Sequence, residues 1–83
     1  MFSKELFGQR LKECRLQAGE TQEQLCEVLS LHKSRVSAME KGINTTTAEK
    51  IALICEHYQV SSDYLLGLVD NPRARLKPKR TKG

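Results

Sequence analysis

No apolar run in this 83-residue sequence approaches the roughly 20 residues that a membrane span requires, and none shows the strict alternation of a half-buried strand. The first excludes a membrane helix, the second a sheet. Three cysteines, an odd number with no C-x-x-C pair, give no disulfide framework, so a reducing cytoplasm is the expected setting. Met1-Phe2-Ser3-Lys4 leads straight into a polar amphipathic segment, which is not the pattern of a signal peptide. No nucleophile, base and orienting acid are grouped, and a domain of this size does not enclose a conventional pocket. An enzyme is therefore not expected, nor a cofactor or small-molecule ligand. A zinc site needs about four converging ligands. Cys14, Cys26 and Cys55 each fall on the apolar stripe of a different helix, and nothing in the spacing brings them to His32 or His57, so the cysteines are read as core and no metal is expected.

What is present is one small domain with 39% hydrophobic and 29% charged residues, only modestly stable alone because so short a chain buries proportionately little surface. Its net charge of +4 is unevenly placed. Residues 1–70 carry eight Lys and Arg against ten Asp and Glu, whereas residues 71–83 carry Arg73, Arg75, Lys77, Lys79, Arg80 and Lys82 with no acid. The body is slightly acidic and the tail strongly basic. With Pro72, Pro78 and little apolar content, the tail is expected to be flexible and suited to following a phosphate backbone.

Periodicity and capping signals divide the body into five helices. The first runs from Ser3 as N-cap to Ala18 with Phe7, Leu11, Cys14 and Ala18 as its inward stripe, and Gly19 ends it. Thr21 with Gln24 forms a T-x-x-Q capping box that starts a second helix at Gln22, with Leu25, Cys26 and Leu29 inward. Ser30-Leu31-His32 interrupts the pattern. A third helix resumes at about Lys33 with Val36 and Met39 inward, which leaves Lys33, Ser34, Ser37 and Ala38 outside, and Gly42 caps it in the left-handed region. After the loop Ile43-Asn44-Thr45, a signature Thr46-x-x-Glu49 opens a helix with Ala48, Ile51, Ile54, Cys55 and Tyr58 on one face. Gln59-Val60 turns the chain, and Ser61 caps a short last helix through Leu66 to Gly67.

The run Thr21–Gly42, with Thr21, Gln22, Leu25, Leu29, Leu31, Ser34, Val36, Ser37, Met39, Glu40 and Gly42 at fixed spacing, resembles the helix-turn-helix of the phage repressor and Cro family, also called the XRE family. Cys26 stands where that family usually has Ala, Ser30 where the turn has Gly, and His32 where the helix opens on Ser, Thr or Asp. Ser30 must then take a left-handed conformation if the turn is unchanged. The resemblance covers about residues 7–69 and implies an all-α, five-helix phage-repressor-like DNA-binding domain over residues 1–70, followed by the basic tail, 71–83.

It also implies roles. Gln22 matches a position that bonds a phosphate, which the positive end of its helix favours, and Thr21 is a second candidate beside its capping duty. Lys33 and Ser34 match positions that read base edges, and Lys can donate to guanine O6 or N7. Ser37 and Ala38, one turn on, either read bases or simply let the helix approach. Arg35, Lys41, Asn44 and Thr45 are candidate backbone contacts, and His32 either joins them or only starts its helix. Arg15 and Glu40 match a partly buried ion pair of architecture. The implied function is a transcriptional regulator, a repressor in the first reading, that binds a pseudo-palindromic operator in double-stranded DNA as a homodimer through Tyr64, Leu65, Leu66, Leu68 and Val69. The alternative is an antitoxin or protein-binding adaptor that retains the helix-turn-helix.

Overall fold

The computed structural model describes residues 2–74, and the basic residues from Arg75 onward lie outside that range. It contains α1 (Lys4–Gln17), α2 (Gln22–Leu29), α3 (Lys33–Glu40), α4 (Ala48–Tyr58) and α5 (Ser62–Leu65), and no strand among the described residues. The expected all-α, five-helix architecture is what the chain adopts.

Each helix begins on a side-chain cap. The Leu6 amide donates to Ser3 Oγ at 3.1 Å, the Lys50 amide to Thr47 Oγ1 at 3.3 Å and the Asp63 amide to Ser61 Oγ at 3.0 Å. At α2 the capping box is complete: the Gln24 amide donates to Thr21 Oγ1 at 3.1 Å, and Gln24 Oε1 accepts from the Thr21 amide at 2.8 Å. One boundary differs from expectation. Thr47, not Thr46, caps α4, because it is the Lys50 amide, not the Glu49 amide, that lies over a threonine hydroxyl.

Phe7, Leu11, Leu25, Leu29, Val36, Met39, Ile54, Val60 and Leu65 make one core, supplied by all five helices and the α4–α5 turn. α3 packs against α1 and α2, while α5 packs against α1 and α4. The cysteines are half-buried at the edge of this core and are free thiols, as their small apolar character allows. Two inward assignments and one outward one differ from expectation. Ala18 and Ala48 are exposed, because each stands at the very end of its helix beyond the packed turns. Leu65, expected on a dimer surface, is fully buried in the chain's own core.

Two close approaches set the position of α3. Gly8 lies directly on the Met39 and Glu40 carbonyls, where a Cβ would collide with backbone, so α1 and α3 meet main chain to main chain. Gly42, at φ 80°, ends the segment against the Glu5 backbone. The turn that joins α2 to α3 passes through Ser30 at φ 55°, ψ 43°, the left-handed conformation expected of a residue standing where glycine is usual. Its cost is offset locally: the Leu31 amide returns to the Cys26 carbonyl at 3.1 Å, and Lys50 Nζ of α4 donates to the Leu29 carbonyl at 2.7 Å. α4 ends the same way through Gln59 at φ 57°.

The C-terminal part is fastened to α1 by Arg10. Its buried guanidinium lies 4.2 Å from the centre of the Tyr64 ring and donates to the carbonyls of Tyr64 and Val69, the latter at 2.8 Å. It also reaches Asp70 at 3.0 Å, but Asp70 is fully exposed and that ion pair adds little. Further on, the Ser61 amide donates to the Pro72 carbonyl at 2.7 Å, so the chain stays against the domain beyond residue 70.

Candidate nucleic-acid interface

The outer side of α3 carries Lys33, Ser34 and Arg35 as exposed side chains at its first turn, with Ser37 and Ala38 half-buried one turn later. Val36 and Met39 point into the core with no exposure, and Glu40 joins them. The helix therefore presents a short rim of small, polar and basic groups on a rigid support. His32 serves as its N-cap: ring Nδ1 accepts from the Ser34 amide at 3.4 Å and lies 3.3 Å from Ser34 Oγ. Its structural duty of starting the helix is thus visible, and it holds the Ser34 hydroxyl close to the helix end.

Behind α3 a buried polar network fixes its angle to α1. Arg15 Nε donates to Glu40 Oε2 at 2.6 Å and Nη2 to Oε1 at 3.1 Å, with the carboxylate side chain 2% exposed. This is the architectural pair expected between the first and third helices. The bidentate fork suits a buried site, because it satisfies two donors and two acceptors at once. The Glu40 hydrogen bond raises the Arg15 pKa further against the opposing effect of burial. Arg15 Nη1 also donates to the Glu20 carbonyl at 2.8 Å, which ties the α1–α2 loop to the same group.

Gln22 belongs to this network. Its Nε2 donates to Glu40 Oε1 at 3.0 Å, so the amide of the first residue of α2 is anchored to the buried carboxylate and is not solvated freely. Its amide oxygen faces no protein donor in that bond, and its backbone N–H lies at the positive end of α2. Thr21 caps the same end. Thus Thr21 and Gln22 sit together at the mouth of α2, where an anion is favoured electrostatically. Lys41, Ile43 and Asn44 follow α3 as exposed residues with Thr45 half-buried; the Ile43 and Asn44 amides turn back to the Ala38 carbonyl at 2.9 and 3.4 Å. The loop is therefore held against the end of α3 by main-chain bonds.

Lys33 has a partner that the sequence reading did not assign. Glu23, in the first turn of α2, places Oε2 2.8 Å from Lys33 Nζ, and each raises the other's charged fraction: hydrogen bonding to Lys33 lowers the Glu23 pKa, and that to Glu23 raises the Lys33 pKa. Arg10 and Glu20 were missed as well. Glu20 accepts from the Tyr58 hydroxyl at 2.7 Å and faces His57 Nε2 at 2.6 Å, clamping the end of α4 to the α1–α2 loop. Burial alone would raise the Glu20 pKa, but the hydrogen bonds from Tyr58 and His57 outweigh it and hold it below the ordinary value; burial and Glu20 together push the Tyr58 phenol far up.

The expected dimer residues do not behave alike. Leu68 is 64% exposed, Tyr64, Leu66 and Val69 are half-buried, and Leu65 is core. Leu66 lines a groove of about 830 Å³ between α4 and α5 with Ile51, Ala52, Cys55 and Val60. The only described basic residue of the tail, Arg73, lines a separate hollow formed by α1, α4 and α5, with no side chain from α3. No helix among the described residues is long and apolar enough to cross a membrane.

Comparison with known proteins gives a consistent picture. The family described as "Helix-turn-helix domain" matches residues 6–76. An uncharacterized HTH-type transcriptional regulator, YobD of Bacillus subtilis (strain 168), is 32% identical over 77 residues, which are 93% of this chain and 69% of that relative. The HTH-type transcriptional regulator ImmR of the same organism is 37% identical over 60 residues, 72% of this chain and 47% of the relative. Among solved structures, the restriction-modification controller protein C.AhdI from Aeromonas hydrophila superposes with a TM-score of 0.67 at 29% identity, covering 75% of this chain and 94% of that one. The clp gene regulator ClgR from Corynebacterium glutamicum gives 0.70 at 25% identity, covering 78% and 69%.

Proposed function

The chain belongs to the helix-turn-helix family of transcriptional regulators of the XRE, or phage repressor and Cro, type, and from that premise we propose that it represses transcription as a homodimer on a pseudo-palindromic operator. The observation that carries this reading is the rim of Lys33, Ser34 and Arg35 on a helix whose opposite face is locked into the core by Val36, Met39 and Glu40. A rigid helix with slim, hydrogen-bonding side chains at its leading end is what the major groove admits. Lys33, Ser34, Ser37 and Ala38 are its base-facing set. Thr21 and Gln22 at the start of α2, with Arg35, Lys41, Asn44 and Thr45, hold the phosphates to either side and so fix the register without carrying sequence information.

Two copies related by a two-fold axis place their α3 helices about 34 Å apart, one turn of DNA. Leu66 and the groove it lines beside Ile51 and Ala52, together with exposed Leu68, are the surface for that pairing; Tyr64 and Val69 border it, and Leu65 supports it from within. Occupying an operator that overlaps a promoter excludes polymerase, which is repression by simple competition. The basic tail adds sequence-independent attraction to DNA.

Selection from random-sequence DNA at about 150 mM salt tests this, with Lys33→Ala and a chain ending at Ala74 alongside. The expected result is a two-fold symmetric motif that Lys33→Ala degrades, with the shortened chain keeping the motif at lower affinity. Binding without any motif would turn attention to the adaptor or antitoxin alternative, in which the same apolar groove holds a protein partner.

A further inference from the structure

α3 starts at an electrostatic disadvantage. The N-terminal end of a helix carries a partial positive charge that favours acids, yet the first turn of α3 contains no acid and opens on Lys33. The missing anion comes from the neighbouring helix: Glu23, in the first turn of α2, sets its carboxylate 2.8 Å from Lys33 Nζ across the interhelical angle. Both side chains are more than half exposed, at 65% for Glu23 and 56% for Lys33, so the pair does not hold the fold. Leu25, Leu29, Val36 and Met39 do that beneath it.

We propose that Glu23 is a specificity-determining residue that acts with Lys33 to read a G·C pair and to weaken binding to unrelated DNA; this rests on the DNA-reading role proposed for Lys33. A free lysine at this position attracts any phosphate. Paired with Glu23 it forms a unit with no net charge, which releases no counterion on approaching the backbone. The ammonium keeps two protons beyond the one given to Glu23, and these suit the adjacent acceptors O6 and N7 of guanine. The carboxylate, which also bonds its own backbone amide and the Thr21 hydroxyl, has lone pairs left to accept from the N4 amino group of cytosine. It repels phosphate oxygens and the O4 acceptor of thymine. The pair thus exchanges general affinity for discrimination, and it aims a flexible ammonium that would otherwise wander.

The test uses the full chain. Random-sequence selections on wild type and Lys33→Ala first locate the base pair whose preference depends on Lys33. Titrations between about 50 and 200 mM salt then compare wild type, Glu23→Gln and Glu23→Asp on the selected duplex, on one with that pair changed to A·T, and on unrelated DNA. For Glu23→Gln the expected result is tighter binding to unrelated DNA, a salt slope steeper by about one, and a roughly tenfold loss of discrimination at that pair. Glu23→Asp keeps the charge but shortens the reach, and should lose discrimination without the change in slope. If Lys33→Ala degrades the motif while Glu23→Gln leaves both motif and slope unchanged, the inference falls and the DNA reading stands. If no motif depends on Lys33 in wild type, the underlying reading falls with it. A thermal melt showing that Glu23→Gln unfolds the domain would also overturn the proposal, since it would make Glu23 a residue of the fold.

Discussion

The half of the domain that contains α2 and α3 and the half that contains α4, α5 and residues 66–74 are both attached to α1, but by different means. α3 is joined to α1 by backbone contact at Gly8 and by a buried, bidentate side-chain ion pair, Arg15 with Glu40. α5 is joined to α1 by Leu65 in the shared core, and the polar link from α1 to α5 and the chain after it is one side chain, Arg10, that donates mainly to carbonyls. A charge-to-charge link is strong only while both partners remain, whereas a charge-to-carbonyl link loses less when it is removed, because the carbonyls then meet water. The α2–α3 half should therefore fail globally and the C-terminal half locally.

Glu40→Ala or Arg15→Ala should give the largest effect, since each leaves the other charge buried and unpaired; a loss of about 3 to 5 kcal/mol in urea unfolding is expected. Replacing both residues by apolar ones of similar volume should restore most of it. Arg10→Met should cost less, about 1 to 3 kcal/mol, for the lost charge-assisted hydrogen bonds to the part-buried carbonyls. Its distinguishing mark is regional. Amide hydrogen exchange should quicken in residues 61–70 while α2 and α3 stay protected at the level the global stability allows, and equal acceleration in both halves would break the comparison.

The two left-handed turns offer a finer test at matched sites. Ser30 and Gln59 end α2 and α4 with the same conformation and the same pair of bonds, from the amide of that residue and of the next one to the carbonyl four residues before it, Cys26 or Cys55. Ser30→Gly should stabilise the domain by about 1 kcal/mol through relief of the left-handed strain. Gln59→Gly should gain less, because Gln59 Nε2 donates to the Glu56 carbonyl at 2.7 Å and glycine loses that bond. Thermal melts of the two variants side by side measure the difference.

The same division governs what could be read from the sequence. The helix-turn-helix was legible down to the strained Ser30, since its caps, its apolar spacing and its closing Gly42 are all signals within a few residues of each other. Even Arg15–Glu40 was reachable, through resemblance to a family. Arg10 was not, because nothing in the neighbourhood of an arginine on α1 announces carbonyls 54 and 59 residues away. Leu65 was misplaced for a related reason: in a four-residue helix there is no periodicity from which to tell the inward from the outward leucine. The cap of α4 was read one residue early, since the Thr46–Glu49 spacing fits a capping signature while the hydroxyl that accepts from the helix is that of Thr47. At the interface, residue types and spacing gave the rim of α3, while the Glu23 partner of Lys33 needed the angle between two helices.

Glu20 yields the smallest expected effect and the one that links the halves, since its carboxylate in the α1–α2 loop holds Tyr58 and His57 at the end of α4. Its pKa is lowered in the fold from an ordinary value of 4.5. A carboxylate whose folded pKa is depressed contributes stability that is fully present above the unfolded pKa and is lost as pH falls through the folded one. The contribution should thus be intact at neutral pH and disappear progressively below about pH 4.5. Glu20→Gln keeps an acceptor for the Tyr58 hydroxyl but has no charge to titrate, so its stability should lie below wild type at pH 7 and converge on it near pH 3 to 4, about where carboxylates protonate. Parallel curves across that range would mean that the clamp works through hydrogen bonding alone, and that the charge on Glu20 contributes nothing to joining α4 to the α2–α3 half.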